Sequence, residues 1–417
     1  MNDRWKPPTG PITSVGEILL ADTAIKVELP PSKHRLAVER YEAIRNHIER
    51  VGSKLRRTVR VFYPQGSMAI SATIRAKRRD DGYDIDIVVE LDLPQGTAPK
   101  LALDMLYGAV RGDPGSRYHD CTERQTRCIT VYYADGMHLD LTPSILIDAS
   151  DPRKSLIFHS KPEAPRTEDK TVIINSYAFA EDFNLRNPVD QVFADEYARR
   201  VMKADLGLVR ADADAEDVPE HSSLVGGKSA NVVALQLLKR NRNIRYASRN
   251  GLRMPPSVML SCMTVEVARP GRSIGEALDV ISKYVLDELE QAHSTGRLIE
   301  VRNPTCPQDC FTDRWPESRD AQAQYILDLK KFRQQLAQLF DNRLSLKEKG
   351  RVLADMFGEH PAQTVIDEYS KRLGEAVRTG SRIVGAAGGV IPAAPAIASG
   401  QPQPKPHTFF GTRWKKA

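Results

Sequence analysis

At 417 residues, with 41% hydrophobic and 27% charged side chains, the chain reads as an ordinary globular protein with room for two domains. It has no apolar run of about 18 residues, and Met1–Asn2–Asp3–Arg4–Trp5 lacks the apolar core of a signal peptide, so no membrane span and a cytoplasmic location are expected. A net charge of +6 permits an anionic substrate such as a nucleotide without predicting long nucleic acid, and five cysteines without repeated spacing fit reduced thiols.

In chain order, Ile18–Leu19–Leu20 indicates a short helix or docking segment, and Ser32–Val51 has apolar residues at helical spacing. Thr58–Tyr63 reads as a strand, broken by Pro64–Gln65–Gly66. A small-residue turn, Gly66–Ser67, then opens a short helix. A basic loop, Arg75–Arg79, leads to the β-rich run Asp84–Ile85–Asp86–Ile87–Val88–Val89. Pro99–Val110 is helical by pattern. Arg127–Tyr133 and Met137–Leu141 form two strands around the hairpin signal Ala134–Asp135–Gly136.

From Gln191 to about Thr379 nearly every segment is helical by pattern: Asn231–Arg242, Pro256–Ala268, Ile274–His293, Ala321–Leu344 and Ser345–Phe357. The last opens with Ser345 and Glu348 at capping-box spacing. Strands followed by helices predict an α+β core with a mixed sheet over residues 1–185 and a helical domain over 186–379. Residues 380–417 form a Gly-, Ala- and Pro-rich tail ending in an apolar, basic tip, His407–Ala417.

The chemistry gathers at Gly66–Ser67 and Asp84–Asp86. A strand turns alternate side chains to opposite faces, so Asp84 and Asp86 leave one face together. Two carboxylates beside a turn with free N–H groups suit a divalent cation and a polyphosphate. Two-metal transfer chemistry needs oxygen ligands that hold cations about 4 Å apart, so a third carboxylate is expected from a neighbouring strand. Asp140, set between Leu139 and Leu141, is the candidate, because a carboxylate buried there is costly without a cation or a partner. A solvated strand edge is the plainer account of Asp84 and Asp86 taken alone.

Gly-Ser, a short helix, Asp-x-Asp in a strand and a later strand Asp resemble the signature of DNA polymerase β-like nucleotidyltransferases. Gln65–Gly66–Ser67, Thr73–Ile74, Tyr83–Asp84–Ile85–Asp86 and His138–Leu139–Asp140–Leu141–Thr142–Pro143 look like the bacterial cGAS/DncV-like enzymes, the CD-NTases of CBASS anti-phage systems. The likeness extends to Leu237–Leu238–Lys239–Arg240 and Pro256–Ser257–Val258, and more loosely to Asn303–Pro304 and Arg314–Trp315.

The resemblance implies template-independent synthesis of a cyclic di- or trinucleotide messenger from NTPs, ATP among them, with release of pyrophosphate. It implies that Asp84, Asp86 and Asp140 bind two Mg2+ ions, replaceable by Mn2+, and that Asp140 helps deprotonate the attacking ribose hydroxyl. Gly66 and Ser67 would grip the β- and γ-phosphates, Lys239 would neutralise them, and Ser257 would add a hydrogen bond. It also implies a downstream effector and a ubiquitin-ligase-like partner that conjugates the C-terminus at Ala417. The alternatives are a linear or RNA-tailing product and a non-catalytic nucleotide-binding scaffold.

Other signals carry less. Gly226–Gly227–Lys228–Ser229 lacks the upstream glycine of a phosphate-binding P-loop, since position 222 is Ser, and reads better as a helix cap. Cys306 and Cys310 could supply two of the four ligands of a zinc site, but buried thiols are the simpler account. His138 is expected as a hydrogen-bonded strand histidine rather than a ligand. The basic runs lack the interleaved aromatics of a nucleic-acid path, so no template is expected.

Overall fold

The computed structural model describes residues 12–75, 82–151, 153–212, 227–249, 251–379, 382–384 and 390–392. The expectations for the N-terminal residues, most of the basic loop and the tip of the tail lie outside these residues.

Helix α1 (Val15–Val27) starts at Ser14, whose hydroxyl accepts the Glu17 N–H. Helix α2 (Pro31–Ile48) has proline in its first turn, where the missing N–H costs nothing. Then come β1 (Val59–Pro64), the four-residue helix α3 (Gly66–Ala69), β2 (Asp84–Leu91) and α4 (Pro99–Arg111). Strands β3 (Thr122–Arg124), β4 (Ile129–Tyr132), β5 (His138–Leu146), β6 (Ser155–His159) and β7 (Lys170–Ile174) complete the sheet.

The strand order is β1-β2-β5-β4-β3, with β6 and then β7 attached beyond the far half of β5. Only β2 and β5 run parallel, and the other pairs are antiparallel. Alternation sends Ile85, Ile87, Val89, Leu139, Leu141, Ile129 and Val131 to one face. There they are buried with Ile44 and Ile48 of α2 and Leu103 and Leu106 of α4. Asp84, Asp86 and Asp140 therefore leave by the opposite face. The expected β4–β5 hairpin is present, with Gly136 at φ +84° and its N–H donated to the Tyr133 carbonyl.

The helical half comprises α5 (Ser176–Arg186), α6 (Gln191–Asp212), α7 (Ala230–Tyr246), α8 (Ser257–Val267), α9 (Ile274–Ser294), α10 (Arg319–Phe340), α11 (Leu346–Phe357) and α12 (Glu359–Arg378). The Ser345–Glu348 capping box opens α11 as expected. The helical reading of this half misses one element: between α9 and α10 lies a hairpin of β8 (Arg302–Asn303) and β9 (Cys306–Cys310).

Helix α7 is its axis, packed by α1, α8, α9 and α11 and buried on almost every side. Several of its polar side chains find partners there. Arg240 Nε donates to the Phe357 carbonyl (2.9 Å) and Asn241 Nδ2 to that of Met356 (2.8 Å), capping the end of α11. Glu17 accepts the N–H groups of Ile274 (3.0 Å) and Gly275 (2.9 Å), capping α9 from α1.

Residues through Ile366 form one compact unit. Those from Asp367 form a second, in which β10 (Arg382–Val384) pairs with β11 (Val390–Pro392) within the stretch expected to be a linker. Among the described residues no helix is long and apolar enough to cross a membrane.

Candidate active site

Register decides which side chains meet. On the parallel pair β2–β5, Asp84 lies opposite His138 and Asp86 opposite Asp140. On β4, Thr130 is the partner of Asp140, and its hydroxyl donates to Asp140 Oδ1. His138 places Nδ1 3.4 Å from Asp84 Oδ1 and sets its ring edge-on to Tyr132. Asp84 is exposed, and Asp86 and Asp140 are half-buried.

Burial, and then the Asp140 and Asp84 charges, push Asp86 up to about 7, against the opposing pull of Lys239. Asp140 is also raised by burial, with the Thr130 hydrogen bond pulling the other way. Carboxylates that repel one another on an open face are not a solvated strand edge. Their oxygens are the donor type that a hard divalent cation such as magnesium takes. Among the described residues no group of three or more His, Cys, Asp or Glu side chains is placed to hold a metal ion. Magnesium commonly fills most of its shell with waters and substrate phosphates.

The Gly-Ser turn is built against this set. Gln65 donates its N–H to the Asp86 carbonyl (2.9 Å). Gly66 has φ +58°, and a Cβ there would stand 2.9 Å from Asp86 Oδ2, so glycine meets two requirements at once. The Ser67 hydroxyl lies 3.3 Å from that of Thr73, and the Ser67 carbonyl accepts the Ala72 N–H (2.8 Å).

The helical half reaches the same turn. Lys239 Nζ donates to the Ala72 carbonyl (2.7 Å) and Gln236 Nε2 to that of Thr73 (3.0 Å). Burial lowers the Lys239 amine to about 7, and the Asp86 charge works against that. Helix α8 packs on α3, and Ser257 opens α8 behind Pro256, where its Oγ accepts from Arg242 Nη1 (2.9 Å). Asp84, Asp86, Asp140, Gly66 and Lys239 are thus gathered in one neighbourhood, and Ser257 lies on the helix that packs on α3.

The set-aside motifs resolve simply. Ser229 caps α7 by accepting the Val232 N–H, and Lys228 is ion-paired with Glu28. The buried Cys306 thiol donates to Gln308 Oε1 (3.5 Å), while Cys310 Sγ lies 3.6 Å from the Thr312 hydroxyl. Sequence reading missed Thr130, Gln236 and Arg242. Thr130 follows from the hairpin register opposite Asp140, and Gln236 and Arg242 lie one turn either side of Lys239.

Residues 20–152 match the family model of the Second Messenger Oligonucleotide or Dinucleotide Synthetase domain. The chain is 40% identical over 412 residues to the cyclic dinucleotide synthase CdnG of Bradyrhizobium diazoefficiens, covering 97% of each protein. It is 23% identical over 365 residues to a c-di-GMP synthase of Roseivirga ehrenbergii, covering 84% of this chain and 87% of that one. Among solved structures it resembles B. diazoefficiens CdnG in complex with GTP, with a TM-score of 0.73 and 39% identity, over 86% of this chain and all of that one. The fold is also shared with E. coli CdnC bound to ATP, with a TM-score of 0.53 and 16% identity, over 82% of this chain and 96% of that one. The polymerase β-like α+β fold expected from the motifs is the fold of these relatives.

Proposed function

The chain belongs to the CD-NTase family of nucleotidyltransferases, and on that premise we propose that it joins nucleoside triphosphates, without a template, into a cyclic dinucleotide messenger. The observation that carries the reading is the in-register set Asp84, Asp86 and Asp140 beside Gly66–Ser67. Of the di- and trinucleotide products, the dinucleotide is favoured by the names of the two relatives, and GTP is favoured as a substrate by the ligand of the CdnG structure.

Asp84, Asp86 and Asp140 would hold Mg2+, or Mn2+ in its place. When bound, the ions supply charge neutralisation and in-line orientation of the phosphates. Asp140, raised by burial and steadied by Thr130, is suited to take the proton of the attacking ribose hydroxyl. Gly66 and Ser67 offer backbone N–H groups and a hydroxyl to the β- and γ-phosphates. Lys239 adds positive charge behind them, and Ser257 adds a donor from α8. We assign the product to cytoplasmic anti-phage (CBASS) signalling through a downstream effector, a reading that rests on family membership.

The test is incubation with GTP, ATP and each NTP pair plus magnesium, followed by phosphatase treatment and mass analysis. A phosphatase-resistant cyclic dinucleotide with release of pyrophosphate is expected, and the Asp84→Ala/Asp86→Ala variant should make none. A product that loses a terminal phosphate to the phosphatase is linear and overturns the reading, as does full activity in the variant.

A further inference from the structure

Helix α7 carries Gln236, Lys239 and Arg242 at three-residue spacing. The first two hold the carbonyls of Thr73 and Ala72, so the axis of the helical half fixes the segment leaving the Gly-Ser turn. Arg242 does the corresponding work on the other side. Its Nη1 donates to the Pro255 carbonyl (2.7 Å) and to Ser257 Oγ (2.9 Å), and its Nε and Nη2 donate to Asn243 Oδ1 (3.2 and 2.7 Å).

All of these acceptors are neutral. Arg242 is 5% exposed and Lys239 3% exposed, and among the described residues neither has a carboxylate within ion-pair distance. Burial draws the Arg242 guanidinium down to about 10, which leaves it charged at neutral pH. A buried cation without a counter-ion is costly, and the Lys239 amine one turn away adds to that cost whenever it is protonated.

The start of α8 adds to the same positive field. Pro256 precedes it and offers no side-chain cap, so its first N–H groups lack that partner. The buried Arg242 charge, the Lys239 amine and an uncapped helix start, set around α3 and the Ala72–Thr73 segment that follows it, suit a multiply charged anion.

We propose that Arg242 is a positioning residue for the substrate triphosphate. It fixes Ser257 and the start of α8 against the Gly-Ser turn, and its own charge is balanced only when the phosphates are bound. The inference rests on the reading above, in which Lys239 and Ser257 serve the triphosphate. It adds that the arginine behind them sets the affinity.

The experiment uses the full chain, with magnesium and inorganic tripolyphosphate as the binding probe and GTP for turnover. In Arg242→Gln the KM for GTP should rise by about tenfold or more, with a smaller change in kcat. Tripolyphosphate should raise the unfolding temperature less than it does in the wild type. The ligand-free unfolding temperature should stay level or rise, because an unbalanced buried charge has gone. Arg242→Lys, which keeps the charge but not the fork, should fall between the two.

An unchanged tripolyphosphate response, or a lower ligand-free unfolding temperature with an unchanged KM, overturns the proposal. If Arg242→Gln does not fold, Arg242→Lys decides: weakened binding at a native unfolding temperature supports the proposal, and unchanged binding overturns it. A wild type that forms product while Arg242→Gln binds normally refutes this inference alone. A wild type that releases no pyrophosphate removes the reading beneath it.

Discussion

Asp86 and Asp140 face each other as direct partners on the only parallel strand pair of the sheet. Burial holds back the ionisation of both, and the Asp140 charge adds to the effect on Asp86. The site is therefore a place where folding is sacrificed to chemistry, and its signature should be visible in stability as well as in activity.

Asp86 holds its proton more tightly when folded than when unfolded, so its contribution to stability is complete below about pH 4. That contribution is lost as pH rises towards about 7. Asp86→Asn should unfold like the wild type at low pH and be more stable above neutrality, by on the order of 2 kcal/mol after allowing for screening. Thermal scans across pH with EDTA measure the gap, magnesium should narrow it, and the variant should make no product.

Gly66→Ala places a Cβ at φ +58° and 2.9 Å from the Asp86 carboxylate. The backbone strain should cost about 1 kcal/mol. The displaced carboxylate should cost roughly 100-fold in turnover, the usual penalty for a misplacement of about 1 Å. Steady-state kinetics beside a urea melt separates the two effects. Unaltered turnover would show that Asp86 can yield without consequence.

Glu17 holds the first turn of α9 from a buried position on α1. Glu17→Ala should leave two peptide N–H groups without an acceptor and lower stability by about 1–3 kcal/mol. Activity at temperatures where the variant is folded should be close to wild type. Chemical denaturation measures the first effect and product formation the second.

Phe340 lies between two glycines: a Cβ on Gly275 would come 2.4 Å from its Cζ, and one on Gly16 2.7 Å from its Cε1. Gly275→Ala should cost about 1–3 kcal/mol through overpacking. Gly275→Ala/Phe340→Leu should recover part of that loss, giving a non-additive double-mutant cycle. Additive effects would show that the ring moves aside freely.

Much of this was legible from the chain. Alternation put Asp84 and Asp86 on one face, and a carboxylate between two leucines marked Asp140. The hairpin signal then brought its strand to the sheet. The β8–β9 hairpin escaped because β8 is two residues long and Cys306–Cys310 contains a proline, too little for any period to register. The roles of Gln236 and Arg242 escaped for another reason. Periodicity tells which residues share a helix face but not which carbonyl or hydroxyl waits opposite, and those partners lie in segments far away in sequence.

The same limit hid the placement of α1. It precedes the whole sheet in the sequence yet packs on α7 and α9, while α2 directly after it belongs to the sheet. Helix α1 ends at Val27, and α7 begins only at Ala230. During synthesis α1 must therefore stay unpartnered while the whole sheet is made, and the helical half closes only when the chain returns to its own beginning. Such long-separated pairing slows folding and leaves an apolar helix exposed in the interval. A fusion or truncation that disturbs α1 would thus be felt first in the yield of folded protein.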